Sequence, residues 1–175
     1  TSIEVNNIDA LTDLTGIEDF VSLTLLDCNN NSLTSLDVSS NTNLTILKCY
    51  LNELTSLDVS SNTALTELSV YSNQLTTLDV SNNTALIGLG VNSNQLTSLD
   101  VSNNPALEEL YCGYNQITSL NLSNNPELLR LDCSVNWLTS LNLKGRHPSE
   151  FESVYGGENP LECVDVLDPL WALDN

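Results

Sequence analysis

A stretch of sequence that repeats itself every 21 residues is the strongest constraint on this chain. Five full copies run Leu33–Glu53, Leu54–Gln74, Leu75–Gln95, Leu96–Gln116 and Ile117–Trp137. A looser copy, Leu11–Ser32, precedes them, and a partial one, Leu138–Lys144, follows. Each copy holds two similar halves, typified by Leu54–Asn62 and Leu65–Asn73, and both read L-x-x-L-x-V/L/C-x-x-N. Around the second Leu of a half, side chains alternate in and out, which is the period of a strand. A single coil of this length cannot bury its Leu side alone. Coils stacked about 4.8 Å apart can pair backbone between neighbours and fill a continuous interior with Leu columns. The expected architecture is a mostly β solenoid of six to seven coils. Its parts are an N-terminal cap with the first irregular repeat (1–32), the regular repeats (33–144), and a polar excursion with a C-terminal cap (145–175).

The run Leu11–Phe20, followed by L-T-S-L-D-V-S-x-N-T-x-L, resembles the leucine-rich repeats of secreted Bacteroidetes proteins. The 21-residue period with Cys in the second half is also similar to the internalin J subgroup of Gram-positive surface proteins. The resemblance covers residues 1–144 and implies an α/β-type leucine-rich-repeat solenoid, a short curved rod whose concave face is a parallel sheet. It further implies that the second half of each copy supplies that sheet, and that partners bind there. Asn159–Val166 resembles the last capping coil of the Bacteroidetes type, where a second Cys often follows. The chain ends at Asn175 without one, which would leave Cys163 an orphan of truncation.

The two Asn columns, at 41, 62, 83, 104, 125 and at 52, 73, 94, 115, 136, read as hydrogen-bonded ladders at the turns. Cys28, Cys49, Cys112 and Cys133 share one phase, and the coils between them carry Val70 and Val91 there. A slot that takes Cys or Val alike wants a small buried apolar group, so buried free thiols are expected. Close metal-type Cys spacings do not occur; disulfides between neighbouring coils stay open as an alternative.

Comparison of the copies separates scaffold from candidate site. In the first half Thr recurs at 34, 55, 76, 97, 118 and 139, and Asp at 37, 58, 79 and 100 before Asn121 and Asn142. In the second half the Leu columns persist while the outward positions vary. The candidate ligand-binding set is Lys48, Tyr50, Glu67, Tyr71, Asn92, Glu109, Tyr111, Tyr114, Arg130 and Asp132. Tyr50 and Tyr71 would stand side by side, with Gly88, Gly90 and Gly113 leaving a flat or dished gap before Tyr111 and Tyr114. Variable side chains on a fixed frame suit recognition, and Tyr is a favoured interface anchor.

The acidic balance, 23 Asp and Glu against 4 Lys and Arg for a net charge of −19, disfavours phosphate backbones and anionic lipid surfaces. No apolar run approaches the roughly 18 residues of a membrane span. The opening residues do not read as a signal peptide, and the chain is taken as a processed or trimmed piece of a longer secreted protein. The aspartate column reads as a solvated, hydrogen-bonded ladder, with Ca²⁺ as the alternative and no other cofactor or metal expected. Regular hydroxyl rows raise an ice-binding reading, which the neighbouring Asp column spoils.

Catalytic motifs are lacking, and His147, the single histidine, has no evident partner. Glu67 and Glu109, two coils or roughly 9.6 Å apart, sit near the upper carboxylate spacing of an inverting glycosidase, without a cleft. Ile3, Val5, Ile8 and Leu11 are expected to shield the first coil, with Val164, Val166, Leu167, Leu170 and Trp171 closing the other end. The functional expectation is a monomeric, non-catalytic, extracellular or cell-surface module that binds a protein ligand or receptor. A carbohydrate-binding module of a polysaccharide-handling protein and a passive spacer in a larger adhesin are the alternatives.

Overall fold

The computed structural model describes residues 1–8, 11–143 and 151–165. Eight short strands form one parallel sheet: β1 (Ser2–Glu4), β2 (Leu25–Asp27), β3 (Ile46–Lys48), β4 (Glu67–Ser69), β5 (Gly88–Gly90), β6 (Glu109–Tyr111), β7 (Arg130–Asp132) and β9 (Ser153–Tyr155). From β2 to β7 the register advances by one repeat per strand, as in Leu47↔Leu68↔Leu89↔Leu110↔Leu131. The second half of every copy therefore builds the sheet. A second pair, β8 (Ser140–Asn142) with β10 (Cys163–Asp165), lies at the C-terminal end of the first-half side. Among the described residues helix is confined to one 3₁₀ turn, Ile17–Asp19, entered through Gly16 at φ 101°, a conformation that glycine adopts without steric cost. The fold is a parallel β-solenoid with almost no helix.

The first halves depart from the strand expectation. Leu57, Asp58 and Val59 alternate buried, exposed, buried, as the pattern requires. Yet along that side only β8–β10 and the Asn121–Asn142 bridge pair as ladders among the described residues. Side-chain alternation reports which face is inside; it does not report how closely neighbouring coils approach.

The interior is the expected set of Leu columns with Val and Cys between them. Leu44, Leu65, Leu86 and Leu107 are fully buried, as are Leu47, Leu54, Leu75 and Leu96. Cys28, Cys49, Cys112 and Cys133 are buried free thiols in the same layer as Val70 and Val91, and Cys163 is free and exposed. Burial pushes the Cys28 and Cys133 thiols up to about 12, with the nearby carboxylates of Asp27 and Asp132 adding to the shift. The same desolvation raises Cys49 and Cys112 well above the ordinary thiol value.

The two Asn columns turn out to be unlike. In the second half each amide closes a four-bond knot. Asn73 Nδ2 donates to the carbonyls of Cys49, Val70 and Tyr71 at 3.0, 3.0 and 3.4 Å, and its Oδ1 accepts the buried Leu54 N–H at 2.9 Å. The knot extends to Asn31 and Asn159, which the repeat pattern did not single out. The residue before each Asn is left-handed, and it is Leu51, Ser72, Ser93, Tyr114 or Val135 rather than glycine. Such φ values are costly for bulky side chains, so the amide knot must hold the turn against local preference. In the first half, Asn83 Nδ2 donates to Val59 and Asn62 carbonyls at 3.0 and 2.9 Å, but its Oδ1 is buried without a partner. Asn41, Asn62, Asn104 and Asn125 share that orphan oxygen.

At the N-terminus, β1 pairs with β2, and Ile3, Val5 and Leu11 pack on the core, whereas Ile8 is 45% exposed. Past the regular repeats, β9 continues the main sheet, and Phe151, Val154, Leu161 and Val164 pack on the core. Lys144–Glu150, with His147, and the cap residues Val166, Leu167, Leu170 and Trp171 lie outside the described residues.

Candidate functional site

The outward row Asp27, Lys48, Ser69, Gly90, Tyr111, Asp132 is in register across the sheet, as is the row Ile46, Glu67, Gly88, Glu109, Arg130. At β5 both rows hold glycine, and the face dips into a depression of about 470 Å³. Its floor is Gly88, Leu89 and Gly90; around it stand Glu67, Ser69, Tyr71, Ile87, Asn92, Glu109 and Tyr111. The gap read from the glycines is therefore present at Gly88 and Gly90, whereas Gly113 does not line it. A Cβ on Gly88 would meet no atom within 4 Å, and one on Gly90 would lie 3.8 Å from Ser69 Oγ and 3.9 Å from Tyr71 Cδ1. Neither glycine is required for packing, so the space they leave open is the consequence of their presence.

On the N-terminal side Tyr71 lines the depression beside Glu67 and Ser69, and Tyr50 backs it. Tyr50 and Tyr71 stack with ring centroids 4.2 Å apart and planes within 10°. Rings parallel on successive coils have their normals along the solenoid axis, so Tyr50 covers one face of Tyr71 and the other is turned toward the β5 coil. Desolvation raises the Tyr71 hydroxyl above its ordinary value, with Tyr50 contributing. The C-terminal wall is polar. The Tyr111 hydroxyl donates to Glu109 Oε2 at 3.1 Å, and Arg130 bridges Glu109 and Glu152. Those carboxylates, Glu152 foremost, hold the Arg130 guanidinium above its usual value. Desolvation and then Glu109 raise the Tyr111 hydroxyl.

Nine of the ten expected residues lie on or beside this face. Lys48 sits half-buried on β3, in register with Asp27 and Ser69. Asp132 accepts from the Ser134 N–H at 3.0 Å and hydroxyl at 2.6 Å, and Asn92 Nδ2 reaches it at 3.5 Å. Gly113 makes room for that carboxylate, since a Cβ there would lie 3.1 Å from Asp132 Oδ1. Tyr114 is the exception: it occupies the left-handed turn position and is 58% exposed. Three contributors escaped the repeat reading. Tyr155, 62% exposed, continues the Tyr111–Asp132 row, but the inserted segment hides its phase. Glu152 is concealed the same way. Ile87 was legible: Thr45 and Thr66 occupy its column, each donating its hydroxyl to the Thr one coil earlier, and the change to Ile gives the depression an apolar rim.

The aspartate column lies on the opposite half. Asp37, Asp58, Asp79 and Asp100 each accept the N–H of the Ser two residues on, at 2.8–2.9 Å. Those serine bonds hold all four carboxyls below the usual range, while neighbouring aspartates push Asp58 and Asp79 the other way. Among the described residues no group of three or more His, Cys, Asp or Glu is placed to hold a metal ion.

No family model matches the chain, and no curated protein matches it. Solved structures do match. An internalin of Listeria monocytogenes superposes with a TM-score of 0.80 at 23% identity, over 99% of this chain and 58% of that one. A functional domain of InlJ from the same organism, which includes a cysteine ladder, matches at 30% identity and a TM-score of 0.51, over 95% of this chain and 53% of that one. The leucine-rich-repeat ectodomain of the membrane receptor kinase GASSHO1/SCHENGEN3 from Arabidopsis thaliana, in complex with Casparian strip integrity factor 2, matches at 23% identity and a TM-score of 0.78, over 94% of this chain and 24% of that one. The chain thus spans about half the length of the two Listeria structures. The architecture is that of the leucine-rich-repeat solenoids, with bacterial proteins among its structural neighbours.

Proposed function

We propose that this chain is a non-catalytic recognition module that binds a protein partner through its sheet face. It would act outside the cell or at its surface, as part of a secreted bacterial protein of the Bacteroidetes kind. The observation that carries the reading is the depression over Gly88 and Gly90, placed where the outward side chains vary most and walled by tyrosines and carboxylates. An interface of this make-up supplies rigid aromatic anchors inside a polar rim. The ectodomain complex named above lends support, as one solenoid of this architecture that carries a partner. Among the described residues no helix is long and apolar enough to cross a membrane. Against catalysis stands the engagement of Glu109 with Arg130 and Tyr111, on an open sheet.

The free face of Tyr71 favours a second reading, a carbohydrate ligand, because sugar rings stack on such faces as well. One experiment separates the two. The double variant Tyr50→Ala/Tyr71→Ala and the unaltered chain are compared in pull-downs from surface and extracellular fractions and on a glycan array. Protein capture that the double variant loses, with a blank array, supports the first reading. Array hits that the double variant loses promote the second. Protein capture unaffected by the double variant contradicts the first.

A further inference from the structure

The depression over β5 joins an aromatic face to a carboxylate that is unpaired among the described residues, and that combination selects a particular chemistry. Tyr71 offers a free ring face toward the cavity. Glu67 lines the same cavity, and its carboxylate has no ion pair or hydrogen bond among the described residues. Across the floor, Glu109 is already neutralised by Arg130 beside the Tyr111 ring. The chain thus shows, on its own C-terminal wall, a guanidinium set against a carboxylate next to a tyrosine. The N-terminal wall has carboxylate and tyrosine with the cation missing. The surroundings point the same way, since the net charge of −19 raises the local concentration of cations.

We infer that this depression takes the guanidinium of a partner's arginine side chain, stacked on Tyr71 and paired with Glu67. A planar cation meets a ring face through cation–π attraction and a carboxylate through two parallel N–H···O bonds. Ile87 and the glycine floor would cover the methylene stem, and Asn92 would offer its amide to the remaining donors. The inference rests on the sheet-face reading above and specifies it: the partner presents a basic residue.

The test uses the whole chain at physiological salt and follows the backbone amide resonances of Gly88 and Gly90. The probe is Nα-acetyl-arginine amide in the millimolar range; Nα-acetyl-citrulline amide, its neutral isostere, and Nα-acetyl-lysine amide are the comparisons. Saturable shifts at both glycines with the arginine probe are expected, at least fivefold weaker with citrulline and threefold weaker with lysine. Glu67→Gln should weaken the arginine response at least threefold. Gly88→Val, whose Cβ meets nothing within 4 Å, should abolish it while leaving the thermal midpoint unchanged or raised. Equal response to citrulline or lysine overturns the inference, as does indifference to Glu67→Gln or the absence of any shift. A blank titration beside protein capture that still needs Tyr50 and Tyr71 would overturn this inference alone. Protein capture that persists undiminished in Tyr50→Ala/Tyr71→Ala is what overturns the sheet-face reading.

Discussion

At the residue scale, atoms rather than residue types decide what the two Asn columns contribute. If Asn73 becomes Ala, the buried Leu54 N–H loses its acceptor. The Val70 carbonyl keeps Asn94 as donor, so the new orphan is that one N–H together with the lost bonds. An unpaired buried donor costs about 1–3 kcal/mol beyond the bonds themselves, and the total for Asn73→Ala comes to about 2–4 kcal/mol. Asn83→Ala differs. Val59 and Asn62 carbonyls retain the Asn62 and Leu65 N–H groups, and an orphan Oδ1 is removed. Its cost should be no more than half that of Asn73→Ala, read as midpoints of urea unfolding. Equal costs would show that the column, not the acceptor count, matters. This distinction was not legible in the sequence, where both columns read as the same Asn at the end of the same motif. What separates them is whether a free N–H faces Oδ1, and that depends on how the chain turns into the next half.

At the scale of the element, the halves were legible in part for a similar reason. Leu spacing identifies the inward face of each segment, and every second-half Leu column is buried as expected. The pattern says nothing of inter-coil distance, so Leu57–Val59 looked like a strand and pairs with no neighbour as one. The Cys slot was read correctly because Val70 and Val91 occupy it in the same chain. It follows that Cys112→Val should cost under about 1.5 kcal/mol, whereas Cys112→Ser should cost about 1–3 kcal/mol by burying a hydroxyl. In the native chain iodoacetamide at pH 8 should modify Cys163 alone, and all five cysteines after unfolding, as counted by mass spectrometry. More than one fast native thiol would contradict the buried ladder.

The aspartate column supplies the pH dependence of the first-half element. Its four carboxyls lie below the ordinary value of 3.8 in the folded chain. A depressed folded pKa contributes stability that is present above the unfolded value and is lost as pH falls through the folded one. The column therefore stabilises at neutral pH and loses that contribution below about pH 4. Asn121 already occupies the same slot and accepts the Ser123 N–H at 3.1 Å, so Asn keeps the turn. Replacing Asp37, Asp58, Asp79 and Asp100 by Asn should flatten the fall in thermal midpoint below pH 4. An acid limb as steep as that of the parent chain would place the acid sensitivity elsewhere.

For the molecule as a whole, the repeat dictates a rod with one paired face, and variation between copies marks that face as the place where the sequence is free to change. The Gly88–Gly90 dip and the Tyr50–Tyr71 wall were readable because both lie inside regular copies. Tyr155 and Glu152 were not, because the segment before them breaks the count by which phase is read. Recognition is proposed to belong to the sheet face and not to the aspartate face. A photo-crosslinking side chain placed at Ser69, beside the depression, and separately at Ser56, on the first-half side, tests it most directly. Both variants are exposed to the same surface and extracellular fractions and irradiated. A discrete protein adduct that Gly88→Val suppresses is expected from position 69, and none from position 56. Adducts from position 56 alone, equal adducts from both, or none from either would contradict the proposal.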